Sequence, residues 1–280
     1  MEARSEAVET RRLPYRKPMD RAERRRQFKE DSRALARGID ADRADGPQIM
    51  VLMRLLHDRL EQARDVRSIA PLMDFLAANM RSAWRAEPKK ALACRRGCSF
   101  CCHAFVSAKA PEVLIAKAAI PLREREAALA AVEAAYSVTG EADPARRAAM
   151  AAPCPMLADG ECRIYAARPA TCRTAVSLDA GLCASAFAPD APATDIPTPD
   201  FHIVMRRSYS IALAGALRRA GFPAESYEFT AALRTALARP DAEAAWLSGE
   251  DVFAGVQTDP GSDPFDHPRN RQVYDLAFAA

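Results

Sequence analysis

Glycine is scarce in this 280-residue chain, at 11 residues, and aromatic residues make up 7%. Strands draw on aromatic and β-branched residues, whereas alanine-rich sequence lowers the cost of helix, so the composition favours helices over sheets. Long apolar runs are also missing. Val113-Leu114-Ile115 soon meets Lys117, and no stretch of eighteen apolar residues exists, so a membrane-spanning helix is excluded. Residues 1–20 carry Glu2, Arg4, Glu6, Glu9, Arg11 and Arg12 and have no apolar h-region, so no export signal is expected. Charge of one sign is lacking too: 40 Lys and Arg against 37 Asp and Glu leave +3. That balance gives no field for holding nucleic acid, and the acids interleaved with Arg24-Arg25-Arg26 read as a solvated tail. The four histidines (His57, His103, His202 and His267) are too dispersed for a Ser-His-Asp set, and no glycine-rich loop is present to cradle a phosphate.

What the chain does have is 8 cysteines, all between Cys94 and Cys183. Cysteines that merely fill a core would be scattered; clustering implies a shared task, either disulfides or metal. Disulfides serve small secreted chains that cannot build a core. Here 49% of residues are hydrophobic, and the expected setting is the reducing cytoplasm, which leaves metal. Cys98-x-x-Cys101 lets two thiolates meet one ion from a tight turn, with Gly97 supplying the turn's freedom. Cys154, Cys162, Cys172 and Cys183 then bring thiols from farther along the chain. Cys101 and Cys102 are adjacent; neighbouring side chains usually point apart, so the pair is expected to take different roles. Eight thiols exceed one tetrahedral shell, and the thiolate charge needs offsetting. Arg168, Arg173 and His103 are placed by the sequence to do that from beside the ligands.

Helical periodicity surrounds this segment. Ile49, Leu52, Met53, Leu56 and Leu60 form one stripe. Ile69, Leu72, Met73, Leu76, Met80 and Trp84 form a second, with Ser68 as its cap. Pro111 opens a helix to Ile120, another runs Leu122 to Ser137, and Asp143 caps a short one. Ile203 to Ala220 is closed by Gly221, Ser226 caps a helix ending at Arg239, and Asp241 caps one bearing Trp246. The tail after Ala254 is expected to be irregular, and no internal repeat is visible. At most, Cys162 to Tyr165 is extended. The expected organisation is a charged tail and linker over 1–47, a helical hairpin over 48–92, a cysteine-cluster metal-binding domain over 93–186, and a helical region with an irregular tail over 187–280. The fold class is mainly α, with an irregular cysteine-rich metal-binding core stapling helical segments and little or no β-sheet.

The order of the motifs is specific. Cys98 to Cys102, then Cys154-Pro155-Met156-Leu157, then Gly160-Glu161-Cys162-Arg163-Ile164-Tyr165 running on to Arg168-Pro169-Ala170-Thr171-Cys172-Arg173 resemble the YkgJ-type cysteine-cluster family, a zinc- or iron-chelating domain. The resemblance covers about a third of the chain. It implies eight chelating cysteines: Cys94, Cys98, Cys101, Cys102, Cys154, Cys162, Cys172 and Cys183. One branch of the family is similar to flagellin lysine methylases, which implies that such a core can serve methyl transfer. Zinc and iron, including a [4Fe–4S] cluster, both suit thiolate ligands and stay open. Two other readings stand beside metal binding. Cys94-x3-Cys98-x-Phe100-Cys101 fits the radical S-adenosylmethionine pattern, although those enzymes use strand-rich barrels. The third reading is a non-enzymatic, metal-stapled adaptor whose basic N-terminal tail or C-terminal helices hold a protein partner, although the apolar stripes of those helices read first as ordinary core.

Overall fold

A computed structural model describes residues 46–86, 92–95, 97–140, 142–192, 194–259 and 263–279, with the backbone alone described over 80–86. The charged segment up to residue 45, and the side chains of Met80 and Trp84, lie outside the described residues. The molecule is mainly helical, as its composition implies.

Helix α1 (Pro47–Val66) starts with proline at its first position, where no backbone donor is needed. It buries Met53, Leu56, Leu60 and Ala63 along one stripe. Helix α2 (Ala70–Ala86) folds back on it with Ile69, Leu72, Phe75 and Leu76 inward. Its entry is capped twice: the Ser68 hydroxyl accepts from Ala70 N–H at 3.3 Å, and the Glu243 carboxylate accepts from Ile69 N–H at 2.8 Å. His57 lies at the edge of this hairpin, its side chain 24% exposed and its ring edge-on to Phe278.

The hairpin rests on the long helix α8 (Asp200–Arg219), which follows α3 (Ala110–Ala119), α4 (Arg125–Thr139), α5 (Pro144–Met150), α6 (Ala170–Thr174) and α7 (Ala180–Ala186). Helices α1 and α8 meet at Gly215, where an added Cβ would lie 2.4 Å from Met53 Sδ and 2.6 Å from its Cε. Only glycine lets Met53, fully buried, sit against the α8 backbone. The helix ends as the sequence predicts, with Gly221 at φ +75° and Phe222 N–H returning to Leu217 O at 2.9 Å. Phe222 then stacks on Trp246 of α10 (Ala242–Leu247), with ring centroids 4.1 Å apart.

Two strands correct the sequence reading. Strand β1 (Ser107–Lys109) pairs antiparallel with β4 (Ser226–Glu228), matching Ser107 to Glu228, Ala108 to Tyr227 and Lys109 to Ser226. Each strand runs straight into a ten-residue helix, α3 or α9 (Phe229–Ala238), and a proline follows each helix two residues on, Pro121 or Pro240. The two units share this strand–helix–proline order. Ser226 is a ladder residue, and Glu228 is the cap of α9, its carboxylate accepting from Ala231 N–H at 2.7 Å. Lys109 Nζ is buried and donates to Ala224 O at 2.7 Å and to the Ser226 hydroxyl at 3.0 Å. Burial pulls its pKa down to about 8.

The tail is also more ordered than its composition implies. After a 3₁₀ turn (Pro264–Asp266), helix α11 (Pro268–Phe278) packs on α1, and Arg54 Nε donates to Ala277 O. The ring of His267 caps this helix, its Nδ1 accepting from Arg269 N–H at 3.2 Å. One hydrophobic core runs through Leu56 and Leu72, through Leu114 and Met156, and through Leu213 and Trp246, so the helices on both sides of the cysteine segment share it.

The Gly215 contact sets a measurable constraint. Gly215→Ala is expected to destabilise the protein by roughly 1–3 kcal/mol through overpacking. Paired with Met53→Ala, it should cost less than the two single changes added together, since the smaller side chain vacates the space. Additive losses in denaturant titrations would show that the two residues do not compete for one volume.

Candidate metal centre

The cysteine segment enters through Ala93, whose N–H donates to Ser177 O at 2.9 Å. Cys94 Sγ accepts from Ser177 N–H at 3.3 Å. Gly97, at φ +82°, turns the chain so that Cys98 N–H reaches Arg95 O at 3.0 Å. A 3₁₀ turn (Phe100–His103) then presents Cys101 and Cys102. The two cysteine clusters meet directly, because Cys154 N–H donates to Cys102 O at 2.7 Å.

Beyond Cys154, strands β2 (Leu157–Ala158) and β3 (Glu161–Cys162) form a hairpin around Asp159 and Gly160, both at positive φ, and this turn faces Cys162 to Leu157. The extended piece therefore ends at Cys162, while Tyr165–Ala167 forms a 3₁₀ turn. Helix α6 carries Cys172. Helix α7 carries Cys183, with Asp179 capping it by accepting from Leu182 N–H at 3.0 Å.

All eight cysteines are free thiols, and all eight line one chamber of about 650 Å³. Cys183 is buried, Cys94 is exposed, and the other six are half-buried. The thiols stand around a hollow and do not close on a point. Among the described residues, no three His, Cys, Asp or Glu side chains are gathered as a ready ligand set for one ion.

Their mutual influence divides them. Cys94 is raised by burial, then by the charges of Cys98, Cys101 and Cys183. Cys172 is raised by burial, then by Cys154, Cys101 and Cys162. Cys101 thus stands between two trios. The neighbouring Cys102 thiol and burial both push the Cys101 thiol up. Both residues of the turn line the chamber. Burial also raises Cys162, and it pushes Cys154 up to about 11.

Two guanidinium groups counter these charges. Arg168 lines the chamber, lies over the Tyr165 ring at 3.8 Å, and its charge lowers Cys101, Cys162 and Cys172. Arg147 of α5 is 3% exposed; it donates to His103 O at 2.9 Å, and its charge lowers Cys154. Arg147 has no signature in the sequence, where it stands in a short helix beside Arg146 like any surface arginine. Arg173 and His103 are not part of the chamber wall. Arg173 faces the loop behind it, its Nε donating to Arg168 O at 2.8 Å and its other nitrogen to Ala166 O. His103 Nδ1 lies 3.2 Å from Phe100 O within its own turn.

Glu112 was also missed. It lies on α3 and is buried, with one carboxylate oxygen accepting from Lys109 N–H at 2.9 Å and the other from Ala170 N–H at 2.7 Å. The second bond fixes the start of α6, two residues before Cys172. A glutamate behind Pro111 reads simply as a first-turn helix acid, so only its burial reveals the second partner. Four further wall residues come from outside the cysteine segment: Ile196 and Thr198 of the loop before α8, Arg206 of α8 and Phe229 of α9.

Searches of curated proteins and of solved structures give no match. Residues 93–187, the segment that supplies every thiol of the chamber, match the model of the CxxCxxCC family, described as a "putative zinc- or iron-chelating domain".

Proposed function

We propose that the chamber binds a centre of more than one metal atom through its cysteine thiolates, with an iron–sulfur cluster as the favoured form. The observation that carries this is the arrangement of eight thiols, drawn from both cysteine clusters, around one hollow. A single tetrahedral ion needs sulfurs ~2.3 Å from the metal, hence within about 4 Å of one another. A centre that brings bridging sulfide, or shares thiolates between metals, suits a ring of thiols set apart. Soft thiolates fit zinc and iron alike. The number of thiols favours a second reading, two four-thiolate zinc sites. A single chamber shared by all eight thiols, with Cys101 acting on both trios, favours the first. Arg168 and Arg147 then serve to offset thiolate charge.

Protein purified without oxygen is expected to hold at least two metal atoms per chain. Iron with acid-labile sulfide and broad visible absorption marks the cluster; zinc without sulfide marks the second reading. Cys172→Ser and Cys98→Ser, one from each trio, should each lower the content. One metal atom per chain or none, with the thiols intact, would overturn the proposal.

Binding must also depend on pH. Burial raises the thiols of Cys94, Cys101, Cys154, Cys162 and Cys172, so the metal-free chamber holds them protonated near neutrality, and each ligating thiol gives up its proton. Apparent affinity is expected to rise with pH by about tenfold per unit for each proton released. The metal-free fold behaves oppositely. A thiol whose folded pKa is raised contributes stability in full below its unfolded value of about 8.5, and that contribution is lost as pH rises towards the folded value. Competition titrations with a chromogenic chelator between pH 6 and 8 measure the first effect, and an affinity flat across that range would contradict it.

A further inference from the structure

The chamber is larger than its metal. The sphere from a tetrahedral ion to its sulfur centres, at ~2.3 Å, encloses about 50 Å³, so four such ions take about 200 Å³. Most of the 650 Å³ remains, within the range of about 300–1,000 Å³ typical of organic-ligand pockets. Part of the remaining wall is apolar: Phe105, Val106, Phe187, Ile196 and Phe229 contribute to it. Several hydroxyls line it, but their protons are committed to the backbone. Thr171 donates to Ser107 O at 2.8 Å, Thr174 to Ala170 O at 2.8 Å, Ser177 to Asp179 O at 2.9 Å and Thr198 to Val176 O at 3.0 Å.

Charge on the wall is one-sided. Arg95, Arg168 and Arg206 line it against the single carboxylate of Glu161. Arg168 is taken up by the thiols and by Tyr165, to whose carbonyl its Nε donates at 3.2 Å. Arg206, exposed on α8, has no ion-pair partner among the described residues. An apolar wall with a cation at its solvent side selects a molecule with an apolar body and a negative head.

We infer that the chamber takes, beside the metal centre, a small carboxylate-bearing organic molecule whose head is held by Arg206 and whose apolar body lies against Phe105, Phe187 and Phe229. This rests on the metal reading only for the contents of the thiol region. A guanidinium–carboxylate pair is charge-assisted and doubly hydrogen-bonded, so it discriminates strongly against a neutral head of equal size.

The test uses the full chain with the metal it carries from anaerobic purification, and three probes of one shape: 4-phenylbutyrate, 4-phenylbutanol and 4-phenylbutylamine. Calorimetric titration is expected to show the acid binding about tenfold or more tighter than the alcohol, with the amine weakest. Arg206→Met should bring the acid down to the level of the alcohol while leaving metal content and alcohol binding unchanged, and Arg206→Lys should restore part of the difference. Equal binding of acid and alcohol, no binding of any probe, or an unaltered preference in Arg206→Met would overturn the inference. Metal analysis of the same sample keeps the two proposals apart: a metal-free chain that still prefers the acid defeats the metal reading alone, and a metal-loaded chain without the preference defeats this one alone.

Discussion

A buried carboxylate, that of Glu112, sets the position of much of the site. Taking such a group out of water costs several kcal/mol unless its oxygens find donors. Here both oxygens accept backbone N–H groups, from Lys109 at the end of β1 and from Ala170 at the start of α6. Burial pushes its pKa up while these two bonds pull it down. Because each bond sits at a helix start, the carboxylate also meets the positive ends of two helices. It thereby joins α3, whose Val113, Leu114 and Ala116 are core, to the short α6, which could not hold a position by itself.

From α6 the constraint passes onward. Thr171 donates to Ser107 O, so α6 is tied a second time to β1. Arg173 donates to the carbonyls of Arg168 and Ala166, which fixes the loop that carries Arg168 into the chamber. The cation that faces the thiols is thus held by one behind it. On the other flank, Glu228 caps α9 and its charge interacts with Arg147, the guanidinium near Cys154. The strand pair β1–β4 leads into the two helices these acids serve, Glu112 in the first turn of α3 and Glu228 as the cap of α9, so one short ladder anchors both sides of the cysteine segment.

Periodicity and capping made the large helices legible. Met53, Leu56 and Leu60 recur at helical spacing and are fully buried, and Gly221 stops α8 where its conformation requires glycine. The cysteine segment was legible because thiols at short spacing have few other uses, and all eight do face one chamber. What was not legible depends on partners far away in sequence. Three-residue strands such as Ser107–Lys109 are too short to alternate, and their pairing with residues 226–228 has no local signature. Helix α11 hides in a segment rich in aspartate and proline, since Pro268 and His267 begin it while its stability comes from packing Val273 and Ala277 inward. Glu112, Arg147 and Arg206 look like surface charges in sequence, and only tertiary position separates the first two, which are buried, from the third, which faces the chamber. Arg173, beside a cysteine in sequence, is not part of the chamber wall and donates instead to carbonyls of its own loop.

The chamber's boundaries carry a last consequence. The matched domain ends at residue 187, yet the wall continues through Ile196, Thr198, Arg206 and Phe229. Phe229 N–H donates to Val106 O at 2.9 Å, so α9 is fastened to the backbone that follows the first cysteines. Leu178 N–H donates to Pro197 O at 2.9 Å, and this fastens the loop before α8 to the second cluster. The thiols come from one segment, whereas part of the apolar surface and the exposed Arg206 come from another. A segment that served only to grip metal would need nothing from α8 or α9. The division of labour across the wall, soft ligands from residues 93–187 and apolar and cationic groups from residues beyond, is the physical basis for reading the chamber as a place where a metal centre and an organic molecule can meet.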